Sequence, residues 1–197
     1  MYKVFIFGAG SIGNHLSFSC RTKGWEVTIF DVDGAALERT RSEIFPARYG
    51  KWDPAICLTN SPQIDRDVDL VIIGTPPDIH LDNTIDTLKM CQPKVLLIEK
   101  PIVSPNKANI DILRQVVHDS GSIILAGYNH NLCSSTLRAE ELLANGYLGK
   151  PLSLHVRWLE HWGGIFEAHP WLKGPQDSYL GTWSRGGGAC AEHSHAI

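Results

Sequence analysis

The sequence predicts an α/β fold, a doubly wound parallel sheet with helices on both faces, and three observations carry that prediction. Short apolar runs rich in β-branched and aromatic residues recur along roughly the first 125 residues. Segments with apolar residues at helical spacing lie between them, and this alternation marks parallel strands joined by crossover helices. The first run ends directly in glycines, as a buried strand does when it enters a tight turn before a helix.

The elements follow in order. Tyr2 to Phe7 is the first strand. Ile12, Leu16 and Cys20 recur at helical spacing and Gly24 stands where a C-terminal cap belongs, giving a helix over residues 11 to 23. "WEVTIFDVD" is the second strand, ending at Asp31. A helix near 34 to 44 leads into a poorly patterned stretch from Pro46 to Pro62, and "VDLVIIG" at 68 to 74 is a strand whose apolar run suits a sheet covered on both faces. Leu81, Ile85 and Leu88 mark a further helix and "KVLLIEKP" a further strand. Ser104-Pro105 opens the next helix with an N-cap residue and a first-turn proline, and "SIILAGY" closes the series.

After Tyr128 the texture changes. A helix around 134 to 145 is stopped by Asn145-Gly146. In "PLSLHVRWLE", Leu152, Leu154, Val156 and Trp158 alternate with mostly polar residues, the pattern of a strand with one open face in an antiparallel sheet. Residues 161 to 185 show no clear strand or helix. The expected organisation is a nucleotide-binding domain of the Rossmann type over 1–127, followed over 128–197 by the beginning of an α+β domain with an open, mainly antiparallel sheet. One amphipathic strand cannot bury its apolar face alone, so this second unit reads as incomplete.

Composition narrows the function. With 43% hydrophobic residues the chain can build a core, and 18 basic against 21 acidic residues leave a net charge of −3, which supplies no field for nucleic acid or an anionic membrane. The expected partner is a small molecule. The start "MYKVFIFGAG" has no signal-peptide pattern, and no apolar run is long enough to span a bilayer. Five cysteines without CxxC spacing argue for a reducing compartment, hence the cytoplasm.

Gly8, Gly10 and Gly13 form G-x-G-x-x-G, with Ser11 and Ile12 inside it, between the first strand and the first helix. The helix N-terminus attracts a pyrophosphate, and a side chain at Gly10 would block its approach. Asp31 ends the second strand, where a carboxylate accepts hydrogen bonds from an adenosine ribose. No arginine directly follows Asp31 to relieve its repulsion of a 2′-phosphate, so NAD is expected over NADP.

Thr75 and Pro76, in "GTPPDIH", should lie at the carboxyl edge of the sheet, both as a rigid turn and as cofactor neighbours. His80 reads as helical packing or support for that site in preference to a catalytic base. "IEKP" ends the next strand at the same edge, with Glu99 and Lys100 beside the cofactor. Lys100 is either a solvated charge paired with Glu99 or, desolvated in the cleft, a hydrogen-bond donor to a substrate hydroxyl.

In order and spacing, "GAGSIG", Asp31, "GTPP" with His80, "EKP", "GYNHN" at 127 to 131, "GYLGKP" at 146 to 151 and "GGGA" from 186 resemble the glucose-fructose oxidoreductase, inositol dehydrogenase and MocA family, written Gfo/Idh/MocA. The resemblance implies an NAD-dependent dehydrogenase acting on a hydroxyl or carbonyl of a sugar, inositol or nucleotide sugar. It also leaves two alternatives, a non-catalytic NAD-binding sensor and an NAD-dependent glycosidase. By resemblance Lys100 contacts the reacting hydroxyl, Pro101 fixes that lysine, and Tyr128 and Asn129 stand near the substrate. Asn131 takes a place where many relatives carry arginine or histidine.

The triple glycine of this family precedes a helix bearing an aspartate and, four residues later, a histidine that is the acid/base. Here Glu192 matches the acid and His195 the base, three residues on, with His193 as the alternative. Cys190, Glu192, His193 and His195 show no zinc spacing, so no metal is expected. The resemblance further implies a homo-oligomer, assembled through the open sheet face, for a full-length chain.

Overall fold

The computed structural model describes residues 1–105, 110–157, 159, 161–167 and 169–188. Six parallel strands, β1 Lys3–Phe7, β2 Glu26–Phe30, β3 Ile56–Thr59, β4 Leu70–Ile73, β5 Val95–Ile98 and β6 Ile123–Ala126, form one sheet in the order β3-β2-β1-β4-β5-β6. The order reverses between β1 and β4, so a crevice opens above their carboxyl ends. Registers such as Phe7 with Phe30 and Ile73, and Ile73 with Ile98, bring those ends level.

Alternation along the strands divides the core. Val4, Ile6, Val27, Ile29 and Ile72 meet Leu37 and Phe45 on one face. On the other, Phe5, Phe7, Phe30, Val71, Ile73, Leu96 and Ile98 meet Leu88. Both faces are apolar because the connections are helical: α1 Ser11–Thr22, α2 Gly34–Arg39, α3 Phe45–Tyr49, α4 His80–Met90 and α5, described from Ile110 to Ser120. The expected start of α5 at Ser104-Pro105 runs into residues 106–109, outside those described.

The stretch from Pro46 to Pro62 is better ordered than its pattern suggested. Residues 34–49 wind almost continuously, with a wider π-type turn at Thr40–Ile44 between α2 and α3. That turn stands just before Pro46, which has no amide to offer a preceding carbonyl. β3 also falls in this stretch; "ICLT" carries little strand signal and is held as the sheet edge by its pairing with β2.

Beyond β6 come α6 Ser134–Ala144, ended at Asn145 with Gly146 at positive φ as expected, and the short α7 Trp162–Glu167. Three 3-10 turns follow, Pro175–Asp177, Tyr179–Gly181 and Trp183–Arg185. The strand expected at 151–160 is not formed at residues 151–157, where Leu152, Leu154 and Val156 are exposed. A strand is defined by its ladder, and no second strand pairs with this one among the described residues; Trp158 lies outside them. No described helix is long and apolar enough to cross a membrane.

Candidate functional site

The sheet's hydrogen-bond ladder runs one residue past five of the six strands and thereby sets out the site. The amide of Gly8 donates to Phe30 O, Asp31 to Thr59 O, Gly74 to Phe7 O, Glu99 to Ile73 O and Gly127 to Ile98 O. Backbone pairing therefore places the glycine loop, Asp31, the Thr75 turn and the Glu99-Lys100 pair along one rim.

Each fingerprint glycine has a distinct steric reason. Gly8 has φ +99°, and a Cβ there would come within 2.8 Å of Gly74 O. A Cβ on Gly13 would overlap the Gly8 carbonyl, so these two permit close approach of strand to helix. Nothing stands within 4 Å of a Cβ at Gly10, which leaves space over the loop. Asp31 Oδ2 accepts from the Ala9 amide (2.8 Å) and Oδ1 from the Asp33 amide (2.9 Å), so the acid also ties the loop to β2. Asn14, fully buried, donates to Ala9 O (2.8 Å) and Gly10 O (2.7 Å). The sequence reading missed Asn14; its signal is an amide side chain on the buried face of α1.

His80 lies behind the rim, not on it. The ring is 0% exposed, with Nδ1 2.9 Å from Pro101 O and Nε2 2.6 Å from Thr75 O. Such a ring has no surface to offer a bound dinucleotide, so His80, a candidate cofactor contact by its place beside Thr75 and Pro76, packs behind them in this structure. Burial holds the imidazole pKa below its ordinary range, and the two carbonyls oppose that shift. Asn83, also missed, donates to Thr75 Oγ1 at 3.2 Å and fixes the threonine from the same helix. Glu99 Oε2 accepts from the Lys100 amide at 3.2 Å.

A cleft of about 810 Å³ lies over this rim, of a size suited to a cofactor or small ligand. Gly10, Ser11, Ile12, Thr75, Pro76, Glu99 and Lys100 line it from the sheet rim. His130, His161, His169, Trp171, Tyr179 and Arg185 line it from the chain beyond β6. Trp171 covers the Arg39 guanidinium at 4.8 Å, a cation–π contact. Arg185 donates through Nε to Asp78 Oδ2 at 2.7 Å, and a Cβ on Gly186 would lie 2.8 Å from Pro77 Cβ and 3.2 Å from Pro101 Cγ. The triple glycine is thus seated on the turns that carry Thr75 and Lys100. Tyr128 and Asn129 stand directly after β6, the first half-buried and the second exposed, and neither lines the cleft. Glu192, His193 and His195 lie outside the described residues.

Comparison with known proteins agrees with this geometry. Residues 2–128 match the model of the Gfo/Idh/MocA oxidoreductase family, NAD-binding Rossmann fold. Inositol 2-dehydrogenase of Mycolicibacterium gilvum is 30% identical over 155 residues, 78% of this chain and 42% of that protein. A 2,7-anhydro-N-acetylneuraminate hydratase of Escherichia coli is 27% identical over 130 residues, 66% of this chain and 32% of that protein. The crystal structure of the WlbA dehydrogenase from Chromobactrium violaceum in complex with NADH and UDP-GlcNAcA superposes with a TM-score of 0.59 at 17% identity, over 75% of this chain and 41% of that one. The chain thus spans less than half the length of these relatives. The family match covers well over half of the chain, so the chain belongs to the Gfo/Idh/MocA oxidoreductase family and carries its NAD-binding Rossmann fold.

Proposed function

We propose that the protein transfers a hydride between NAD and a hydroxyl or carbonyl carbon of a sugar, inositol or nucleotide sugar. The observation that carries this reading is that Lys100, just past a buried strand, lines the same cleft as Gly10, Ser11 and Thr75. A cation there can hydrogen-bond the reacting oxygen while the hydride leaves or joins the carbon beside it. NAD supplies the hydride acceptor or donor. His195, with His193 as the alternative, takes the hydroxyl proton, and Glu192 orients the imidazole. Residues 128–197 open the substrate-binding unit, and assembly into a homo-oligomer belongs to the full-length protein. The cytoplasm is the setting that fits the cysteine usage.

Turnover with myo-inositol and with UDP-sugars, read as NADH appearance, tests the reaction. Lys100→Ala should abolish turnover and leave NADH affinity unchanged; lost affinity would put Lys100 in a cofactor-binding role instead. The relative named as a hydratase favours one second reading, since hydration involves no net oxidation. In that case product forms while NADH does not accumulate.

A further inference from the structure

We propose that Arg48, through the Ser11 hydroxyl, forms part of the seat for the cofactor's pyrophosphate. The proposal rests on the NAD-binding reading of the cleft and adds a residue far from the glycine fingerprint in sequence. Arg48 Nη1 lies 3.1 Å from Ser11 Oγ and 3.4 Å from Ser11 O. Ser11 is the first residue of α1 and lines the cleft beside Gly10. A hydroxyl has one proton and two lone pairs, so an oxygen that accepts from a guanidinium keeps its O–H to donate elsewhere. The open space over Gly10 is where an anionic oxygen would take it.

Electrostatics point the same way. α1 has 12 residues, no acidic residue in its first turn and no side-chain cap. The partial positive charge at a helix start repels a cation, yet the guanidinium stands beside this one. An anion bound at the loop offsets both positive charges at once, and charge-assisted hydrogen bonds to phosphate are the strong kind. The placement is also rigid. Tyr49 stacks on Phe18 of α1 with ring centroids 3.9 Å apart and planes at 4°, and Phe45 packs edge-on against Tyr49 and Trp52. α3 is thereby clamped to α1, and the arginine is carried to the loop by apolar contacts that do not depend on its charge.

Arg48 is a positioning residue in this scheme, and its effect should follow the diphosphate and not the nucleoside. The experiment is calorimetric titration of the full chain and of Arg48→Met, Arg48→Lys and Ser11→Ala with NADH, ADP and adenosine, at low and high salt. Urea midpoints of the unliganded variants are measured alongside. Arg48→Met should weaken NADH and ADP about tenfold at low salt and less at high salt, with adenosine and the midpoint unchanged. Arg48→Lys keeps the charge and should fall between. Combining Arg48→Met with Ser11→Ala should cost little more than Ser11→Ala alone, because Arg48 acts through that hydroxyl.

Unchanged ADP affinity in Arg48→Met would overturn the proposal. An equal loss for adenosine and ADP, or a lowered midpoint, would make Arg48 a strut between α3 and α1. If the unsubstituted chain bound none of the three ligands, the NAD-binding reading itself would fall, a result distinct from selective loss of the diphosphates.

Discussion

Ile72 and Leu152 have the same number of carbons, yet Ile72 is 1% exposed between two hydrogen-bonded strands and Leu152 is 94% exposed. The same contrast separates the regions they belong to. Residues 3–126 are tied by a continuous ladder and two apolar layers. The described residues of 129–188 form two helices, short turns and irregular chain, with Leu180 the buried hydrophobic residue among them. Arg185 to Asp78, Trp171 over Arg39 and Gly186 on Pro77 and Pro101 attach them to the sheet region, and Trp171 and Arg185 line the cleft. The second region is therefore placed by the site it covers, while the first is placed by its own core.

The largest test of that contrast is Gly13→Ala. Its Cβ would overlap a backbone oxygen that cannot give way, so a loss of about 4 kcal/mol and of NADH binding is expected, read by urea unfolding and titration. Next is the pair that poses the comparison directly. Ile72→Ala should cost about 3 kcal/mol, whereas Leu152→Ala should stay within about 0.5 kcal/mol. A large cost for Leu152 would mean that its region has a core of its own.

His80 gives a pH signature to the sheet region. Its pKa is lowered from 6.5 by burial, so the unfolded chain takes up a proton that the folded one resists. Its contribution is fully present above that value and declines as pH falls below it. His80→Gln should remove this part of the acid-side loss of urea midpoint, and an unchanged profile would refute the assignment. The neutral ring has one N–H, so His80→Ala leaves one carbonyl, of Thr75 or Pro101, without its donor at a cost of about 2 kcal/mol at neutral pH. The smallest effect should come from Arg185→Met, since the pair with Asp78 is partly exposed. Less than about 1 kcal/mol is expected in unfolding, with faster proteolysis confined to residues 175–188 showing that the pair holds the covering segment.

Much of the sheet and its rim can be read directly from sequence, because local pattern and tertiary role coincide there. Gly8, Gly10, Gly13 and Asp31 occur at fixed offsets around one strand-turn-helix unit. β3 could not be read this way, since an edge strand borrows its conformation from β2. Leu152 to Val156 showed the opposite failure: the alternation is present, but no described neighbour completes a ladder. Asn14, Asn83 and Arg48 were missed because a polar residue on a helix carries no motif until its partner across the fold is known.

By itself the sequence determined the alternation of strands and helices, the phosphate loop, the acid that follows β2 and the family these imply. All of them rest on interactions between residues close in the chain or on periodicity along it. Only the tertiary structure decided that His80 lies behind the cleft and that Arg48 reaches Ser11. It also decided that the chain around Gly186 is seated on the turns carrying Thr75 and Lys100. Those placements depend on how separate helices and turns converge above the sheet, and no local pattern in the chain encodes that convergence.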